Sequence, residues 1–197
     1  MKQFFEKYSY IGVKLFLNQI VIGIFFGVGF MFVANSLGNP AFKVGASVFS
    51  ILFFLFLEYT VAYKLGTEDR VSVDLGKAKA DYLLPVKLWL LANSLNLILA
   101  VFIMLGNVFA GSGIANVGGI CTAIVMIIEG MYAGVLTANV GGAPLNAYWI
   151  MYFVITLPSL VVVFLSYVVG LKSKKIAKMF EFEYPESDRP DKKSAKK

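Results

Sequence analysis

A carboxyl group stranded in an apolar sequence is a place where chemistry can happen, and this chain has one. From Leu88 to Leu171, 84 residues carry a single charged side chain, Glu129. A soluble domain spreads roughly a quarter of its positions among Asp, Glu, Lys and Arg. A bilayer explains the deficit, because an ionised group placed there is costly or must be neutralised. Counted from Ile114 at about 1.5 Å per residue, Glu129 falls close to the middle of its apolar segment. Desolvation at that depth favours the neutral acid, and loss of the proton creates an attractive negative site. Glu129 is therefore a candidate binder of a proton, a cation or the cationic group of a solute. The alternative is a protonated acid that fastens two helices by a hydrogen bond.

Amides are the natural company for such an acid. Asn93 and Asn96 stand three apart on one helix face, and apolar lipid would leave both unpaired, so both are expected to face the interior. Asn18 and Gln19 lie about 5 Å to the N-terminal side of the middle of the first apolar segment, near enough to line one polar pocket with them. Glu129, Asn93, Asn96, Asn18 and Gln19 thus form the candidate substrate- or ion-binding set, with interhelical glue as the competing reading.

Other chemistries lack their residues. Histidine is absent and Cys121 is the lone cysteine, so the commonest general base, the commonest metal ligand and any intrachain disulfide are missing. No zinc-binding helix motif, phosphate-cradling glycine loop or nucleophile elbow occurs. Glu68, Asp69, Asp74 and Asp81 alternate with Arg70, Lys77 and Lys79 as a solvated face. No catalytic residue, metal or cofactor is expected, and the chain does not read as an enzyme. Only Arg70 and Arg189 offer a guanidinium, which argues against nucleic acid as a partner.

The elements that must position these residues are membrane helices. Hydrophobic residues make up 58% of the 197 positions, and mean hydropathy is +0.75. The fold class expected is an all-α, polytopic integral membrane helix bundle with five hydrophobic segments. These run over about 10–34, 41–64, 83–106, 114–139 and 145–171, within a single transmembrane domain of residues 1–179. The first exceeds a signal-peptide core in length and reads as a retained helix. Residues 65–87 form the long charged connection, where Val71, Leu75, Ala78 and Tyr82 recur at the spacing of a short amphipathic surface helix. Pro158 is expected to kink the last segment near Ile155. Residues 180–197 read as a disordered basic tail.

Charge placement leaves the topology open. Basic residues number three from Lys2 to Lys14 at the N-terminus, one in the first turn, five from Lys64 to Lys87 and nine in the tail. Gathering the three basic regions in the cytoplasm gives 17 against one, but demands an even number of crossings after Lys87. Five full crossings leave 10 against 8. The glycine-rich stretch from Ile114 to Gly142 is therefore a candidate re-entrant hairpin, bending near Glu129 and Gly130.

Gln19, Gly23 and Gly27 share one face of the first segment, and Gly130, Gly134 and Ala138 share one face of the fourth; small residues four apart allow close helix packing. Glu58 and Lys14 are expected to snorkel toward the headgroups, or to pair with each other. Tyr148, Trp149 and Tyr152, like Trp89, Tyr82, Tyr59 and Tyr63, read as interfacial belts. No motif assigns a family. Two functions fit: a cell-membrane, multi-pass transporter or solute-binding transporter subunit, or a non-catalytic structural or regulatory subunit of a larger membrane complex. The expected partners are the lipid bilayer and a membrane-protein partner or second copy, with the tail cytoplasmic.

Overall fold

The computed structural model describes residues 2–179, and the tail expected to be disordered lies outside them. The protein is predominantly helical. Helix α1 (Lys2–Ile22) passes through a π-helical turn (Gly23–Val28) into α2 (Gly29–Leu37). Helix α3 (Pro40–Asp74) follows, then α4 (Leu84–Ala92), α5 (Ser94–Val108) and α6 (Gly113–Ile128). A single 3-10 turn (Gly130–Tyr132) leads to α7 (Ala133–Leu136), and α8 (Met151–Val154) and α9 (Leu157–Met179) complete the described chain. The all-α expectation needs one small correction. Asn139–Val140 and Ala143–Pro144 pair as a two-stranded hairpin. Its turn uses Gly141 and Gly142 at φ +68° and +95°, as a tight two-residue turn requires.

Three helical stretches, Glu6–Phe25, Pro40–Asp74 and Met151–Lys172, are long and apolar enough to cross a bilayer. The count rises to five if each of two bent pairs is a single span: α4 with α5, bent by 60°, and α6 with Gly130–Leu136, bent by 89°. Large apolar side chains such as Phe25, Leu52, Phe56, Val161 and Leu165 point outward. An outer surface of this kind suits a lipid environment.

The largest departure from expectation is the length of α3. It begins where Pro40 occupies the first turn and the Asn39 side chain accepts the Ala41 amide at 3.0 Å. It runs 35 residues, ten beyond the boundary expected, and so absorbs Val71 and much of the connection. Gly76 stops it: with φ +69° its amide bonds to the Val73 carbonyl, and the Lys77 amide reaches back to Ser72, each at 3.0 Å. That pair of bonds is the glycine-terminated end common to helices. The separate surface helix over 71–82 does not form, since Val71 lies on α3 and Leu75 to Tyr82 follow its end.

Helix α3 packs along α9, and glycines make the contact close. A Cβ on Gly66 would overlap the Tyr167 carbonyl oxygen, and one on Gly170 would overlap that of Tyr63. Helices α5 and α6 meet at Gly106 and Gly118, where a Cβ on either would stand within 3 Å of the other's Cα. Two apolar clusters fill the interior. One gathers Ile22, Phe54, Leu99, Ala100, Val125, Tyr132 and Ile155. The other gathers Leu15, Ala62, Leu88, Ala92, Val163 and Tyr167.

Trp89 and Tyr152 are corrections to the interfacial-belt reading. Trp89 is buried and donates its indole N–H to the Thr156 carbonyl at 3.2 Å. That carbonyl lies at the interruption between α8 and α9, just before Pro158. Tyr152 is buried with its hydroxyl donating to the Asn146 carbonyl at 3.3 Å.

Candidate functional site

The polar residues form a layer between the two apolar clusters. On α1, Gln19 falls between Leu15 and Ile22; on α3, Glu58 falls between Phe54 and Ala62. Asn93 and Asn96 fall between Ala92 and Leu99, and Ser159 falls between Ile155 and Val163. In each case the residue on one side belongs to one cluster and the residue on the other side to the second.

Three discontinuities in the backbone bring this layer together. The first is the π turn that starts one helical turn beyond Gln19. The second is the bend at Asn93, whose side-chain nitrogen bonds back to the Trp89 carbonyl at 3.2 Å, beside its own backbone amide at 2.8 Å. Ser94 does likewise to Leu91 at 2.9 Å. Two adjacent side chains that compete for helix carbonyls account for a bend here. The third is Glu129 itself, which ends α6 with φ −98° and ψ 27°. Gly130 follows, and its missing Cβ is required because the Gly23 carbonyl oxygen occupies that space.

Glu129 is 1% exposed. Its Oε1 accepts two amide donors, Gln19 Nε2 and Asn96 Nδ2, the latter at 2.7 Å. Gln19 Nε2 also faces Asn93 Oδ1 at 3.3 Å. The second carboxyl oxygen, Oε2, is buried without a hydrogen-bond partner, as are Asn96 Oδ1 and the Tyr132 hydroxyl. Both amides are thus directed at Oε1, and Oε2 is the oxygen they leave unused.

The structure therefore brings together Gln19, Asn93, Asn96 and Glu129. Asn18 stays apart: it is half-buried and hydrogen-bonds to none of them, because adjacent helical residues point roughly 100° apart. Glu58 is the functional candidate that sequence reasoning misjudged. It does not snorkel and does not pair with Lys14, which is exposed. At 2% exposure its Oε2 accepts the Ser159 hydroxyl at 3.2 Å, and its Oε1 has no partner. The reason is the true length of α3, which puts Glu58 near the middle of a helix roughly 50 Å long rather than near its end. Ser47, Ser50, Phe54, Glu58, Ala62 and Leu65 recur at steps of three and four and are all buried. That stripe was a readable signal.

The glycine faces divide differently from expectation. Gly23 and Gly27 both turn toward the break after Glu129, against the Ile128 carbonyl and Gly130. Gly130, Gly134 and Ala138 do not share a face, because the helix that would align them is broken. Gly134 instead meets α3 at Lys43, where its amide donates to Ser47 Oγ at 2.7 Å, and Ala138 lies beyond the end of α7. Among the described residues no group of three or more Cys, Asp or Glu side chains could hold a metal ion. A hollow of about 270 Å³ between α5 and α6, lined by Gly106, Asn107, Gly118 and Thr122 among others, does not include Glu129.

Comparison with known proteins returned nothing: no family model, no curated protein and no solved structure matches the chain.

Proposed function

We propose that the protein is a small multi-pass membrane protein that acts as a transporter or as a solute-binding subunit of one. Its site is the buried layer around Glu129. The observation that carries this reading is the half-used carboxyl group: two amides hold one oxygen while the other is buried and unpartnered. Discontinuous helices that converge on a polar site halfway through the bundle are a recurring way to bind solutes within a membrane. The inward packing of Gly23, Gly27 and Gly130 supports the same reading, since these glycines serve the site rather than an outside partner.

Thermal unfolding of the purified chain against a panel of cationic, neutral and anionic solutes tests the proposal. A bound solute raises stability by about 2.7 kcal/mol at 100 times its dissociation constant. Stabilisation by a cationic solute, lost in Glu129→Gln, is expected. Stabilisation that persists undiminished in that variant would remove Glu129 from the site.

A further inference from the structure

Two acids, not one, occupy the polar layer. Glu58 enters from α3 and Glu129 from the end of α6, and the 3-10 turn that directly follows Glu129 packs against α3. That turn carries Tyr132, which shares an apolar cluster with Phe54, one helical turn before Glu58, and it also lies against the π turn after Gln19. Glu58 and Glu129 each keep one buried oxygen without a partner, and so do Asn96 Oδ1 and the Tyr132 hydroxyl. Three of these four atoms are pure acceptors when the acids are ionised. Such a set suits a positive charge.

Among the described residues no lysine or arginine forms a salt bridge with either acid. Glu58 Oε2 is held by the Ser159 hydroxyl. The remaining titratable groups of the two adjoining clusters are Cys121 on α6, Tyr132, Tyr152 on α8 and Tyr167 on α9, with Tyr8 packed against the second. Two uncompensated charges in such surroundings would each cost several kcal/mol, so the pair by itself retains its protons. A monovalent cation that enters must then displace one of them. The bound centre, with two carboxyl groups, one proton and one cation, is neutral again.

We infer that Glu58 and Glu129 form a two-carboxyl centre that exchanges one proton for one small monovalent cation, an alkali ion or a primary ammonium. The inference rests on the site proposed above and adds the second acid, the ligand charge and the proton count. No bond other than O–H breaks: the proton leaves to water and the cation takes its place beside the carboxylate left behind.

The test uses the full chain in lipid nanodiscs, in weakly buffered solution with a pH-sensitive dye. Sodium, lithium, potassium and methylammonium chlorides are added separately, with the chloride of bulky N-methylglucamine as the control. Saturable release of about one proton per bound cation is expected, and the salt that elicits it separates the alkali ions from the ammonium source. Glu58→Gln and Glu129→Gln should each abolish the release. Release that survives in Glu58→Gln but not in Glu129→Gln overturns the two-carboxyl centre and leaves the Glu129 site standing. Release that survives in both removes both readings. Should Glu58→Gln fail to fold, the native protein still decides: cation addition must bleach an infrared band of protonated carboxyl groups, and an unchanged band with no proton released overturns the exchange.

Discussion

Replacing Glu129 in two ways separates its hydrogen bonds from its charge. Glutamine keeps an oxygen where Oε1 stands, so the donors of Gln19 and Asn96 retain their acceptor. The new amide nitrogen takes the position of Oε2, which has no partner to lose. Glu129→Gln should therefore change stability by less than about 1 kcal/mol. Glu129→Leu is different. It strips the acceptor from Asn96 Nδ2 and leaves Gln19 Nε2 only the 3.3 Å contact to Asn93. An unpaired buried donor costs about 1–3 kcal/mol, and a smaller loss at Gln19 brings the total to about 2–4 kcal/mol. Interhelical hydrogen bonds in membranes average nearer 0.6 kcal/mol, because amides in the unfolded chain also find partners, so the lower end is the safer expectation. Reversible unfolding in mixed micelles, driven by a rising fraction of denaturing detergent, measures both variants on one scale. A leucine variant as stable as the native chain would refute the network described. So would a glutamine variant damaged as badly as the leucine one.

The close approach of α1 to the break after Glu129 predicts that Gly23→Ala and Gly130→Ala each destabilise by about 1–3 kcal/mol, because the added methyl group meets backbone rather than a movable side chain. Gly45→Ala, on α3 with open space around it, should instead be neutral or stabilising by up to about 1 kcal/mol in the same detergent titration. In the connection, partial burial works against the Asp81 charge, but the 3.0 Å bond from Lys87 Nζ and the 2.9 Å bond from the Leu83 amide outweigh it and hold the carboxyl below its ordinary value. A depressed folded value means that the carboxyl's contribution is present above the unfolded value and is lost as pH falls through the folded one. Its titration, followed by NMR, should move upward in Lys87→Ala, and an unmoved midpoint would show that the ion pair does not form in solution.

Depth along an apolar segment was legible in the residues, and depth was enough to bring Gln19, Asn93, Asn96 and Glu129 together. The bend at Glu129 was legible too, because Gly130 follows an acid in a glycine-rich stretch. Two things were obscured. Asn18 and Gln19 are neighbours in sequence, and which of two adjacent amides turns inward depends on the rotation of α1 against α4 and α6. Glu58 was misplaced because Lys64 looked like the membrane boundary, whereas α3 continues through Glu68 and Asp69 until Gly76 ends it. A charged sequence that keeps helical backbone bonds does not stop a helix; a residue free to adopt positive φ does. Asp69 finds its partners on α3's far end, where Tyr167 donates to it at 3.0 Å and Lys7 lies 3.8 Å away.

The cluster's incompleteness bears on why it exists. A carboxyl group kept only to fasten helices would use both oxygens, and the amides around it would face donors and acceptors in equal number. Here four buried polar atoms of Glu58, Asn96, Glu129 and Tyr132 stand without partners. Each such group costs about 1–3 kcal/mol when left unsatisfied. Well-packed apolar residues of similar volume are often neutral or stabilising in place of buried ionic groups. A bundle shaped by stability alone would thus be better off with apolar residues in place of the whole polar set, the amides that bond to Glu129 included. Glu129 also stands where the backbone is least regular, at the right-angle break after α6 and against the α1 segment that carries the π turn. Irregular backbone within a membrane is tolerated where protein or a polar interior receives it. Unsatisfied acceptors and broken helices in one layer are together costly to folding, and a bound cation is the simplest single addition that relieves both carboxyl groups at once.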